Sequence, residues 1–252
     1  MNKTMYAFLL TTIAGASTLI GAIPIFFKKL KASTMITISL AFAAGVMLTV
    51  SCTDLMPNSF AYLNTFFLPF PSILMCAIFI VVGIIFSMLI DTYLPTSPQQ
   101  KNQQLYKVGI FSMIAIILHN VPEGIATFMT STNDLKLGIT LTIAITLHNI
   151  PEGISIAVPI FYATQQKRKA IFYTFISGIS ELFGAIIAYL FLAKYMTDTL
   201  MGVLFSFIAG IMIHISVYEL IPTSKSYRQV KLTYKAFFIG IIFMLLSHIF
   251  MN

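Results

Sequence analysis

The chain has 252 residues, of which 58% are hydrophobic and only 9% charged, and its mean hydropathy is +0.91. A soluble globular domain carries about 25% charged residues, so that class is excluded. The formal charge of +7 does not indicate nucleic acid, because the basic residues follow the loops between apolar runs and form no patch.

A membrane-crossing helix needs about 20 mostly apolar residues. Eight runs qualify: Thr4–Phe27, Thr34–Met56, Ser72–Leu94, Leu105–Thr130, Leu137–Phe161, Ile171–Ala193, Thr199–Ile221 and Thr233–Met251. The expected fold is an all-α polytopic membrane protein, with residues 1–252 forming a single transmembrane domain. The first run is long for the apolar core of a signal peptide and has no small-residue cleavage site before Lys28. It is expected to stay as the first span.

Between the second and third runs, Pro57–Pro71 is uncharged and Phe-rich, and reads as a loop at the membrane interface. The longest connection, Pro95–Gln104, is polar and proline-containing and reads as a flexible linker. With the N-terminus outside, the inner loops hold Lys28, Lys29, Lys31, Lys101, Lys107, Lys167, Arg168, Lys169, Lys225, Arg228, Lys231 and Lys235. The outer segments hold only Lys3, Lys136 and Lys194. Cytoplasmic loops carry such an excess, so both termini are expected outside a plasma membrane. Cys52 and Cys76 form no CxxC pair and read as packing residues.

Two repeats run through these spans. Leu118-His119-Asn120-Val121-Pro122-Glu123-Gly124-Ile125 recurs as Leu147-His148-Asn149-Ile150-Pro151-Glu152-Gly153-Ile154, identical at seven of eight positions and 29 residues apart. The second repeat joins the second and seventh spans at an offset of 165. Ala44-Gly45-Val46-Met47 through Asp54-Leu55-Met56-Pro57 matches Ala209-Gly210-Ile211-Met212 through Glu219-Leu220-Ile221-Pro222. In both repeats the copies cross the membrane in opposite directions. Inverted repeats are a transporter architecture, with the site at the repeat interface near the midplane.

Glu123, Glu152 and Glu181 fall well inside spans. Each carboxylate at the bilayer centre costs roughly 3 kcal/mol, and three about 10 kcal/mol. No Lys or Arg lies deep enough to pair with them, which leaves a bound cation as the simplest counter-charge. Helix positions i, i+3 and i+4 share a face. His119 and Asn120 therefore lie one turn before Glu123, and His148 and Asn149 one turn before Glu152. Pro122 and Pro151 cannot donate to the carbonyls of Leu118 and Leu147, so each helix is expected to kink and free a carbonyl beside the ligands. Gly124 and Gly153 permit close helix approach.

Imidazole and carboxylate without thiolate suit Zn²⁺, Fe²⁺, Mn²⁺ or Co²⁺ and do not suit Ca²⁺ or Mg²⁺. Two His, two Asn and three Glu exceed one tetrahedral ion and are enough for two adjacent sites bridged by Glu123 and Glu152. Asp54 and Glu219 read either as mouth residues of an ion path or as solvated helix ends. Met47 and Met212 read first as packing, with Met47 on the path as the alternative. His214 is either a pathway ligand or a packed polar residue, His248 is expected at the interface, and Asp91, Asp134 and Asp198 are expected to be solvated.

These residues resemble the ZIP (Zrt/Irt-like) metal transporters, and within them a bacterial subgroup of broad metal range. The resemblance rests on the doubled His-Asn-[Val/Ile]-Pro-Glu-Gly-Ile, on Ser177-Gly178-Ile179-Ser180-Glu181, and on the Gly-x-Met…Asp/Glu-Leu-x-Pro repeats, and it covers nearly the whole chain. It implies eight helices, both termini outside, and uptake of zinc, with iron, manganese, cobalt and cadmium, into the cytosol. It also implies a binuclear site. His119, Glu123, His148 and Glu152 match the first metal position, and Asn120, Glu123, Asn149, Glu152 and Glu181 match the second. Leu182 stands where the family usually has Pro, the His-rich loop between spans three and four is missing, and His214 occupies an often aromatic position. The implied partners are divalent metal ions and membrane lipid, with no nucleic acid and no resident cofactor. A homodimer is left open.

Two other classes compete. A membrane metalloenzyme would use a similar donor set, but the chain has no HExxH motif and an enzyme has no need of inverted repeats. A proton-coupled solute transporter would use the Glu residues as relays and leave the paired His-Asn faces surplus.

Overall fold

A computed structural model describes residues 2–27, 31–93, 101–192 and 197–251. Eight helices are long and apolar enough to cross a membrane: α1 (Lys3–Phe26), α2 (Ala32–Asn64), α3 (Pro69–Thr92), α4 (Asn102–Asn133), α5 (Leu135–Thr164), α6 (Lys167–Phe191), α7 (Asp198–Lys225) and α8 (Val230–Ile249). Each expected run falls on one of them, and the described residues contain no strand. Lys28, Lys29, Lys194 and most of the linker between α3 and α4 lie outside the described residues.

The stretch expected as an interfacial loop, Pro57–Pro71, is instead helical to Asn64, and α3 begins at Pro69. Pro57 sits in the first turn of the segment Met56–Asn64, and the five residues before it, Ser51–Leu55, form a π-helical turn. A proline at a helix start costs little because its missing N–H has no partner there anyway. The wider π turn takes up the mismatch, so the helix continues. α7 repeats the device, with a π turn over Ile215–Leu220 followed by Pro222 in the first turn of Ile221–Lys225. The sequence repeat is thus also a repeat of local backbone geometry.

α1, α4, α5 and α6 pack against one another, as do α2, α3, α7 and α8, and the largest contact between the two groups is α2 on α5. Glycines set the helix contacts in matched pairs. A Cβ at Gly124 would run into the carbonyl oxygen of Glu181 in α6, and one at Gly153 into that of Thr18 in α1. A Cβ at Gly45 would meet the Phe237 carbonyl in α8, and one at Gly210 the Ile80 carbonyl in α3. The mates stand 29 and 165 residues apart, which are the offsets of the two sequence repeats. Together these contacts equate α1 with α6, α2 with α7, α3 with α8 and α4 with α5, which extends the internal symmetry to all eight helices.

Pro122 and Pro151 both lie inside continuous helices, α4 and α5. Proline still removes one amide donor from each. Gly124 and Gly153, two residues further on, seat these segments closely against α6 and α1.

Candidate metal centre

His119, Asn120 and Glu123 on α4, His148, Asn149 and Glu152 on α5, and Glu181 on α6 are all buried, the most exposed being Glu123 at 8%. His148 Nε2 lies 2.9 Å from Glu123 Oε1, joining α4 to α5. His119 Nε2 lies 3.4 Å from Glu123 Oε2 and 3.6 Å from Glu152 Oε1. A tetrahedral ion with bonds of about 2.0–2.1 Å separates its ligand atoms by about 3.3 Å, and the three measured separations bracket that value. His119, His148 and Glu152 each offer one ligand atom, all within 4.8 Å of one another.

The amides connect this group to its surroundings. Asn149 Nδ2 donates to Glu181 Oε2 at 2.9 Å and to the Ala14 carbonyl at 3.0 Å. Asn120 Nδ2 donates to the Ser177 carbonyl at 3.0 Å. Both amide oxygens, Asn120 Oδ1 and Asn149 Oδ1, have no hydrogen-bond partner. The same holds for His119 Nδ1 and Nε2, Glu123 Oε2, Glu152 Oε1 and Oε2, and Glu181 Oε1. Buried polar atoms are nearly always paired, and an orphaned one costs about 1–3 kcal/mol. Eight such atoms in one cluster of seven residues fit a cation that takes nitrogen and oxygen donors.

Among the described residues no Lys or Arg pairs with the carboxylates of Glu123, Glu152 or Glu181. Among the described residues the Lys/Arg–carboxylate pair is Lys107 Nζ with Asp91 Oδ1 at 2.6 Å, near the basic end of the bundle. Asp91, expected to be solvated, is therefore ion-paired. Asp134 and Asp198 are exposed as expected, and Asp134 also caps α5 by accepting from Leu137 N at 3.1 Å.

A cavity of about 210 Å³ reaches the cluster from the end opposite the basic loops, passing Asp54, Asn58 and Tyr62 to Glu123 and His148. Asp54 thus lines a path to the cluster. Met47 does not: it is fully buried in the apolar core. His248 is more than interfacial, since its Nε2 lies 2.9 Å from Asp54 Oδ2 and 3.1 Å from Thr53 Oγ1. A single His near one end of the last span carries no spacing signal that could have revealed this pair. His214 bonds Ser87 Oγ through Nδ1 at 2.9 Å and stacks on Tyr218, away from the seven residues.

Eight apolar helices, inverted halves and a buried nitrogen and oxygen donor cluster reached by a cavity together define the class of polytopic metal-transporting membrane proteins. Residues 95–248 match the family described as ZIP Zinc transporter. The Zinc transporter ZupT of Lysinibacillus sphaericus is 39% identical over 92% of both chains. That of Oceanobacillus iheyensis is 36% identical over 98% of both, and that of Streptococcus mutans 37% identical over 96% of both. The chain belongs to the ZIP family and is a multi-pass membrane protein.

Proposed function

We propose that this chain takes up zinc across the cytoplasmic membrane into the cytosol, with iron, manganese, cobalt and cadmium as further cargo, through a binuclear site. The relatives named as zinc transporters support the substrate. The eight unpartnered donor atoms around Glu123, Glu152 and Glu181 support the site and carry the reading. His119, Glu123, His148 and Glu152 hold one ion, and Asn120, Glu123, Asn149, Glu152 and Glu181 the other. Seven donor residues exceed the four of a single tetrahedral ion, which favours two.

Residues 1–252 act as one transporter domain and perform no catalytic step. The basic end of the bundle faces the cytosol and both termini face out, as the charge asymmetry requires. The cavity past Asp54 then opens outward, and the ion leaves towards Glu219 at the opposite end. An inside-negative potential drives a dication inward by roughly 4.6 kcal/mol per 100 mV. Shared carboxylates bind each ion weakly enough to release it.

Flux into proteoliposomes across Zn²⁺, Fe²⁺, Mn²⁺, Co²⁺, Cd²⁺ and Mg²⁺ tests this. The transition metals should enter and Mg²⁺ should not, and Glu123→Ala and Glu152→Ala should each abolish entry. Flux that survives both substitutions would remove the proposed site.

A further inference from the structure

The membrane-facing side of α1 and α6 carries a groove that the transport path does not use. Its upper part is a cavity of about 130 Å³ floored by Gly15 and Gly178 and walled by Ala16, Leu19, Phe175 and Ile179. Its lower part, a shallow and open depression, shares Leu19 and Phe175 and ends at Arg168. The two are therefore continuous, running from the middle of the helices to the basic end of the bundle. The upper lining is almost wholly apolar, and Phe175 and Ile179 are 45% exposed. Arg168 is exposed, and among the described residues no carboxylate pairs with it. Beside it the Lys167 ammonium sits 4.4 Å over the Phe26 ring.

The floor lies directly behind the donor cluster. A Cβ at Gly15 would stand 3.2 Å from Glu181 Cβ and 3.4 Å from Glu181 Oε2. Only glycine backbone thus separates the groove from a carboxylate of the cluster. Water reaching that floor would raise the local dielectric and weaken the electrostatics of the buried donors.

We propose that the groove is a binding site for an anionic diacyl phospholipid of the leaflet at the basic end, one acyl chain filling it and the headgroup held at Arg168. Charge complementarity selects the occupant: an apolar slot with a single unpaired guanidinium at its membrane-surface end matches a long chain attached to a negative headgroup. Basic pockets between transmembrane helices on the cytoplasmic side recognise such headgroups. The acyl chain seals the Gly15–Gly178 contact from the bilayer side, behind Glu181.

The chain has no Trp, so Phe175→Trp in the full-length protein places a single indole in the groove. Vesicles containing brominated-chain phosphatidylglycerol or phosphatidylcholine at equal mole fraction then report occupancy by quenching. Phosphatidylglycerol should bind about five-fold more tightly, the equivalent of ~1 kcal/mol for one basic contact, and Arg168→Gln should abolish the preference. Ile179→Trp reads the same groove should the first variant fold poorly, and Ile78→Trp, on exposed α3, reports bulk lipid. Equal quenching by both lipids in the groove would overturn the proposal. So would an unquenched groove indole beside a quenched α3 indole, which would mean that a second copy of the chain covers the face.

Discussion

Asn149 donates from Nδ2 to Glu181 Oε2 at 2.9 Å, tying α5 to α6 inside the donor cluster. The same nitrogen holds the Ala14 carbonyl of α1, so one amide fixes three helices around the buried carboxylates. Asn149→Ala leaves Glu181 and Ala14 unpaired in a buried setting. It should lower stability by about 1–3 kcal/mol, read as a fall in thermal midpoint, and reduce zinc uptake by roughly 10–100-fold. An unchanged midpoint would show that the amide does not carry this junction.

Glu152 behaves differently. Neither of its oxygens has a hydrogen-bond partner, so Glu152→Gln keeps the shape and removes a buried charge that costs roughly 3 kcal/mol at the bilayer centre. Metal-free stability should hold or rise, while uptake should fall at least about ten-fold. A loss of metal-free stability would instead make Glu152 a structural residue.

Gly124 and Gly153 are mates under the internal symmetry, each with a neighbouring helix carbonyl against its Cα. Gly124→Ala and Gly153→Ala should each force the helices apart and cost about 1–3 kcal/mol, measured by thermal unfolding in detergent. Equal tolerance of alanine at both positions would contradict the close packing of α4 on α6 and of α5 on α1.

The fold was legible in the sequence because lipid allows few solutions. Eight apolar runs of about 20 residues give eight helices. The donor cluster was legible because the doubled motif sets His, Asn and Glu one turn apart on each helix, and Glu181 was conspicuous as a lone carboxylate in an apolar run. The backbone was less legible. Pro122 and Pro151 lie inside continuous helices, while irregular winding falls at Thr18–Phe26, Ser51–Leu55, Ala188–Leu192 and Ile215–Leu220, where no residue pattern marks it. Asp54 with His248 and Asp91 with Lys107 are contacts between distant helices, which no local spacing encodes.

Acid should oppose uptake. His119 and His148 ligate only as neutral imidazoles. Protons therefore compete with metal as the medium is acidified, and zinc uptake at pH 5 should be several-fold below that at pH 7. Equal uptake at both values would count against imidazole ligation.

Asp54 lines the cavity and pairs with His248 some distance above the cluster. Asp54→Asn removes a negative charge that concentrates cations at the mouth without touching the seven donors. It should raise the KM for zinc several-fold and leave kcat nearly unchanged, with the effect shrinking at high ionic strength. A fall in kcat at constant KM would place Asp54 in a later step.

Anomalous scattering at the zinc edge from crystals soaked in zinc tests the central claim most directly. Two neighbouring peaks between α4, α5 and α6, within bonding distance of Glu123 and Glu152, are the result expected of a binuclear dication site. Bound zinc elsewhere in the protein with no peak among these helices would contradict it.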